Sequence, residues 1–386
     1  MGSPRGPANE NRPFPLLLTT STLPRMPPPR SVIILAGGRG ERFWPRSRTL
    51  RPKHLLPIVG DQPLLRQTVH RLDGLVPPER VWIVTQGDQV EACRGACPAV
   101  PADQVVAEPV GRDTGPAVVL AALLAASAGD DPAFAVLPAD HVIHDEASFR
   151  ADLAALFETV ETEAVLGTLG IRPTEPATGY GYLETGEAAT ADAPVRPVLR
   201  FVEKPDRATA EGYLAAGHYL WNAGMFAWRP SILLAELQAH APELAEGYHR
   251  MAGALRSGET REAVLAREFP ALPKRSIDYA LMEKSSRTVT RPANFDWDDV
   301  GSWPAVARHH ERDADGNVAV GPARFHEATG NIVVGEDGHL VGVVGVDDLV
   351  VVHTPDATLV CPRERAEEVK ELVRRIGDDP RYAAHL

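Results

Sequence analysis

Val32 to Ile58 reads VIILAGGRGERFWPRSRTLRPKHLLPI. Val32–Ala36 is a short run with no polar residue, and it ends at two glycines. That is the pattern of a parallel strand buried on both faces and feeding a loop. Val81–Thr85, Gln104–Ala107 and Phe134–Leu137 repeat the style, with helical stretches at Pro63–Leu72 and Pro116–Ala126 between them. Strand and helix in alternation predict a doubly wound α/β sheet. Ligands of such sheets bind beyond the carboxyl ends of the strands. Gly37–Lys53 and Pro138–His141 both follow strands, so both are expected to open onto one crevice.

The loop after the first strand gathers Arg39, Arg42, Arg46, Arg48, Arg51 and Lys53, although the 386-residue chain carries a net charge of -12. Such an acidic chain does not bind nucleic acid through a general phosphate field, so the local basic run needs a local reason. The loop is not a P-loop, because GxxxxGK[ST] is absent. It is not a dinucleotide fingerprint either, because Phe43 stands where GxGxxG has its third glycine. What remains is Ala36, Gly37, Gly38 and Gly40, then Arg42 and Lys53. Glycines let the backbone approach an anion with its N–H groups, and arginine and lysine neutralise it. A polyphosphate is the expected ligand; a solvated basic turn is the plainer alternative.

At 44% hydrophobic and 24% charged, the composition is that of a globular enzyme, and the length suggests one large domain plus a smaller one, or two of moderate size. No apolar run reaches the ~18 residues that span a bilayer, so no membrane partner is expected. Residues 1–30 are rich in Pro and Arg, make a poor signal peptide and are expected to be a disordered extension, with Met26 as a candidate start. Cys93, Cys97 and Cys361 form no paired motif; they read as small buried residues and suit a reducing cytoplasm. From about Gly321 the texture changes. Asn331–Val334, Leu340–Val344, Leu349–Thr354 and Ala357–Cys361 are short β-type runs, followed by an amphipathic helix over Glu364–Ile376. Residues 31–320 are therefore expected to be the catalytic domain. Residues 321–386 are expected to be a small β-rich tail whose role is packing or oligomerisation.

The opening stretch resembles the signature of sugar-nucleotide pyrophosphorylases, and its Phe-Trp-Pro-x-Ser form resembles mannose-1-phosphate guanylyltransferases. Seven further segments agree in order: AEPVGRDTGPAVVLAA (Ala107–Ala122), VLPADHVI (Val136–Ile143), GIRPTEPATGYGYLE (Gly170–Glu184), FVEKPD (Phe201–Asp206), WNAGMF (Trp221–Phe226), SIDYALMEK (Ser276–Lys284) and FDWDDVGSW (Phe295–Trp303). The resemblance covers the chain from about Val32 onward. It implies a mixed-sheet nucleotidyltransferase domain like glycosyltransferase-A folds, and often a β-helical or β-rich tail. The implied reaction is GTP plus mannose 1-phosphate giving GDP-mannose and pyrophosphate, with Mg²⁺ as cofactor, in the cytoplasm. A homodimer is a family expectation.

In that reaction one anion attacks another, so positioning and charge neutralisation matter more than a covalent nucleophile. Arg42 and Lys53 would hold the GTP phosphates. Asp140, standing at the crevice, and Asp299, the partner carboxylate that the family pattern offers, would hold the metal, with Asp298 as the adjacent alternative. Lys204 would meet the sugar phosphate. Glu203, Gly181 and Asn222 would contact the sugar, while Tyr180 and Trp221 serve equally as packing or contact. Glu108, Arg112 and Thr114 would bind the base. There the family's Arg-Asn-Thr-Ala becomes Arg112-Asp113-Thr114-Gly115, which leaves base selectivity open, although Asp113 can accept from guanine N1–H and N2–H. His54 and His141 read as structural, because the attacking phosphate is already ionised. A sister transferase using another sugar or base is the alternative enzyme. A non-catalytic sugar-nucleotide sensor is the alternative from another class.

Overall fold

The computed structural model describes residues 29–127, 129–190 and 194–386. Residues 1–28, which hold most of the expected extension and Met26, lie outside the described residues. Arg30 already forks onto Glu161, Nε to Oε1 at 2.7 Å and Nη2 to Oε2 at 2.9 Å.

Nine strands form one mixed sheet: β1 (Ser31–Ala36), β2 (Val81–Gln86), β3 (Val105–Glu108), β4 (Phe134–Pro138), β5 (Leu166–Ile171), β6 (Tyr182–Thr185), β7 (Arg196–Val202), β8 (Tyr219–Trp228) and β9 (Thr288–Pro292). Their order is β3-β2-β1-β4-β8-β5-β9-β7-β6. The first four strands are parallel, with Val32 opposite both Val81 and Ala135. Strand β8 runs antiparallel to β4 and β5 and joins the two halves.

Both faces are covered, which is why the parallel strands read as unbroken apolar runs. Ile33, Val84 and Val106 face the helix Thr114–Ala126 and the later helices Pro230–His240, Pro242–Arg256 and Arg261–Glu268. Val32, Ile34 and Ile83 face the opposite layer, which contains Cys93, Cys97 and the helix Glu146–Thr162. The helix Thr114–Ala126 is apolar all round because it lies inside the molecule, where each fully buried Val or Leu contributes about 1.5–3 kcal/mol. Cys93 and Cys97 are buried as expected, and burial pushes their thiols up to about 11 and about 12.

The C-terminal part coils. Val318–Val320, Ile332–Val334 and Leu349–His353 stack in parallel, and Ala323–His326 lies parallel to Val341–Val344 on a second face. Each turn thus adds one strand to a face, as in a β-helix. The turns are stapled by an asparagine ladder. Asn331 donates Nδ2 to Asn317 Oδ1 at 3.1 Å, and the Leu349 N–H reaches Asn331 Oδ1 at 3.0 Å. The first coil strand starts at Val318, slightly before the expected boundary. The expected single terminal helix is a 3-10 turn, Arg363–Glu368, followed by an α-helix, Val369–Gly377.

This coil docks on the basic loop, and that accounts for part of the loop's charge. Arg46 donates to Gly335 O at 2.6 Å, and Arg48 to His385 O at 2.9 Å and to Asp356 at 2.8 Å. Trp44 donates Nε1 to His385 O at 2.8 Å. Part of the basic run therefore serves the tail rather than a ligand, and the tail packs against the loop that borders the crevice.

Candidate active site

The glycine loop owes its shape to one close approach. Gly40 has φ 65°, and a Cβ there would lie 2.3 Å from Lys53 Cβ. Only glycine combines that backbone with that neighbour. Phe43, which displaced the third glycine of the dinucleotide pattern, is buried edge-on against Trp303 at 5.1 Å. Trp303 in turn donates Nε1 to Trp44 O at 3.1 Å. The FDWDDVGSW segment is thereby locked to the loop.

Gly37, Gly40, Arg42, Lys53, Asp140 and Asp299 line one cleft of about 470 Å³ at the carboxyl ends of β1 and β4. A backbone bridge between Val142 and Asp298, at 2.8 and 3.1 Å, joins the two carboxylate-bearing segments. The buried Lys53 donates Nζ to Asp140 Oδ2 at 2.7 Å and to Asp299 O at 2.6 Å. Its charge is thus met first by Asp140. Burial acts to raise the Asp140 pKa, but the charges of Lys53 and His141 and the Lys53 hydrogen bond together hold it at about 2. Arg42 donates to Gly301 O at 3.3 Å and pairs with Glu367 of the C-terminal segment at 2.8 Å.

Asp298 and Asp299 part company. Both Asp298 oxygens are taken, by a fork from Arg308 at 2.6 and 2.7 Å, by His309 Nε2 at 3.0 Å and by the Val300 N–H at 2.8 Å. Asp299 instead faces the cleft, and its Oδ1 accepts from the Tyr180 hydroxyl at 2.8 Å. Tyr180 also packs edge-on against Trp221 and Trp297, so it positions Asp299 and packs at once. A divalent cation that prefers oxygen ligands fits this donor set: two carboxylates from separate segments face one cleft, and Asp140 is held ionised. His54 is buried, which lowers it to about 4, and burial also lowers His141, whose Nδ1 accepts from Trp297 at 3.1 Å. Burial thus disfavours the charged form of both histidines, and both are committed to packing.

Gly37 and Gln86 line this cleft and also a second, more apolar one of about 410 Å³, bounded by Leu35, Val118, Phe226, Glu108, Asp113 and Thr114. Glu108 is buried, and burial raises its carboxyl to about 7. Asp113, at φ 71°, spends Oδ1 on the Thr114 N–H that opens the helix Thr114–Ala126. Thr114 Oγ1 accepts from the Ile277 N–H at 2.9 Å. Gly115 has a steric cause, since a Cβ there would lie 2.5 Å from Arg275 O. Arg112 departs from expectation: it donates to Pro270 O and does not line the pocket.

Gly181, Glu203, Lys204 and Asn222 come together beside the apolar pocket. A Cβ on Gly181 would lie 2.5 Å from Glu203 Oε2, and the Asn222 N–H reaches Gly181 O at 2.8 Å. Lys204, at φ 48° and exposed, closes on the buried Glu203. Asn222 donates Nδ2 to Asp278 Oδ1 at 3.1 Å, while its Oδ1 accepts from the Gly224 N–H at 3.2 Å. Asp278 lies in a π-turn, Asp278–Met282, and lines the apolar pocket. Burial, and then the charge of Glu203, raise it to about 6. Sequence reasoning singled out its segment but not Asp278 itself, and it missed Gln86, which donates Nε2 to Gly37 O at 2.8 Å. A π-turn carries no residue signature; its functional use is a matter of frequency.

Comparison with known proteins identifies the family. Residues 31–317 match the family described as Nucleotidyl transferase, and residues 326–376 match the MannoseP isomerase/GMP-like beta-helix domain. The mannose-1-phosphate guanylyltransferase of Klebsiella pneumoniae is 40% identical over 92% of this chain and 75% of its own length. The alginate biosynthesis protein AlgA of Pseudomonas aeruginosa is 41% identical over 89% of this chain and 71% of its own. A crystal structure from Thermus thermophilus, named as a mannose-1-phosphate geranyltransferase, superposes with a TM-score of 0.80 at 37% identity. It covers 90% of this chain and 99% of that one.

Proposed function

The chain belongs to the nucleotidyl transferase family, and on that premise we propose that it transfers GMP from GTP to mannose 1-phosphate, releasing pyrophosphate and forming GDP-mannose. The observation that carries this reading is the meeting of two clefts and a polar cluster. A glycine-lined basic cleft adjoins an apolar pocket with buried carboxyls, and Asp278 joins that pocket to the cluster of Glu203, Lys204 and Asn222.

In this reading the guanine lies in the apolar pocket, where Glu108 and the free side of Asp113 accept from its N–H groups. The Gly37–Gly40 backbone, Arg42 and Lys53 take the triphosphate. Glu203 and Asn222 accept from and donate to sugar hydroxyls, and Asp278 fixes the amide of Asn222. Lys204 leaves Glu203 for the sugar phosphate and turns its oxygen toward the α-phosphorus. Like charges on the two phosphoesters are the barrier, and preorganised cations lower it. Asp140 and Asp299 would hold Mg²⁺, which when bound screens the phosphate oxygens as a Lewis acid. No general base is assigned, since the attacking oxygen is ionised near neutral pH.

No helix among the described residues is long and apolar enough to cross a membrane. A cytoplasmic setting belongs to the same proposal, supported by three free cysteines, as does a homodimer, which sedimentation tests. The deciding experiment is pyrophosphate release across a panel of nucleoside triphosphates and sugar 1-phosphates. Fastest release is expected with GTP and mannose 1-phosphate under Mg²⁺. Preference for another base or sugar would replace the reading with a sister transferase, and ligand binding without release would replace it with a sensor.

A further inference from the structure

The C-terminal helix does more than pack. Val369 is buried, and Val373 and Ile376 press into the same apolar cluster as Phe43 and Trp44 of the glycine loop. The chain end is tied down by Trp44 and Arg48 at His385 O. Lys370 is one residue round the helix from Val369, exposed, and it lines the cleft together with Gly40, Arg42, Lys53 and Asp140. One turn before it, Glu367 pairs with Arg42 at 2.8 Å. The C-terminal segment thus brings one cation and one anion to the rim of a cleft whose other walls come from the large sheet.

Resting on the nucleotidyl-transfer reading above, we propose that this helix completes the triphosphate site. Lys370 binds the two phosphates that leave as pyrophosphate, and Glu367 holds Arg42 until the nucleotide displaces it. The two side chains act with opposite sign. Lys370 adds positive charge where the leaving group gathers negative charge. Glu367 competes with that group for the guanidinium, whose fork suits either a carboxylate or a phosphate. Both residues are exposed, so their effects are modest and their substitution leaves the core untouched.

The test is steady-state kinetics in both directions with Lys370→Gln, Lys370→Arg and Glu367→Gln. For K370Q, the KM for GTP and the KM for pyrophosphate in the reverse reaction are expected to rise roughly 5–10-fold. The KM for mannose 1-phosphate should stay within about two-fold, and K370R should behave close to the unaltered chain. E367Q should lower the KM for GTP roughly 2–5-fold, because Arg42 then has no carboxylate competing with the phosphates. Unchanged GTP and pyrophosphate constants in K370Q, or an equal shift for mannose 1-phosphate, would overturn the proposal. Calorimetric binding of inorganic pyrophosphate to the unaltered chain and to K370Q needs no turnover. If the chain proves inactive with GTP and mannose 1-phosphate, the functional reading fails, while this binding difference still decides on Lys370.

Discussion

Replacing Lys53 by methionine keeps a stem of similar volume and deletes the ammonium that joins Asp140 to the Asp299 carbonyl. Asp140 sits at about 2 against an ordinary carboxyl value of 3.8; burial acts to raise it, and the Lys53 charge is the main cause that overrides burial. At 1.36 kcal/mol per pKa unit, that lowering corresponds to roughly 2.4 kcal/mol. The Asp140 side chain is 38% exposed, so screening brings the expected contribution down to about 1 kcal/mol. The sign follows from the depressed pKa: the stability is present in full well above 3.8 and is lost as pH falls through about 2. Urea unfolding of K53M and the unaltered chain should therefore differ by about 1–2 kcal/mol at pH 7, once the bond to Asp299 O is included. The difference should narrow as pH drops from about 5 toward 2. Turnover should fall by a factor of roughly 100 or more, because the phosphate cleft loses its buried cation. A K53M protein of unchanged stability at pH 7 would refute the reasoning about the pair, and normal turnover would refute the role.

Other consequences are separable. Lys204→Ala should raise the KM for mannose 1-phosphate at least about ten-fold with little change for GTP, a split that equal effects on both would contradict. Glu108 sits at about 7, so its acceptor form is lost as pH falls below 7. Nucleotide binding should weaken from about pH 8 to about pH 6, and Glu108→Gln should flatten that profile in calorimetry. Gly115→Ala drives a methyl to within 2.5 Å of Arg275 O. It should cost about 1–3 kcal/mol in thermal or urea unfolding, and neutrality there would show that the turn relaxes freely.

What the sequence discloses depends on whether the signal is local. Strands β1 to β4 and the buried helix Thr114–Ala126 announce themselves because both faces are covered, so nearly every position is apolar. The glycine loop is legible because φ 65° at Gly40 allows little else. The tail-binding use of Arg46 and Arg48 is not legible because their partners, Gly335 O, His385 O and Asp356, lie far along the chain, and two of them are backbone atoms with no side-chain signature. Asp298 and Asp299 are indistinguishable as neighbours. Their roles separate only when Arg308 and His309 close on the former and Tyr180 on the latter. Arg112 matches a motif but turns toward Pro270, and Asp278 hides in a π-turn. The coil strands Val318–Val320 and Ala323–His326 are too short to stand out without the partners they stack upon.

Beneath all these readings lies one claim, that Asp140 belongs to the reacting centre rather than to the scaffold. It is tested most directly by pyrophosphate release from GTP and mannose 1-phosphate, at fixed Mg²⁺, comparing the unaltered chain with Asp140→Asn. Asp140→Asn is expected to be folded by circular dichroism, with turnover lower by a factor of roughly 1,000 or more. A folded Asp140→Asn protein that turns over at the normal rate would contradict it.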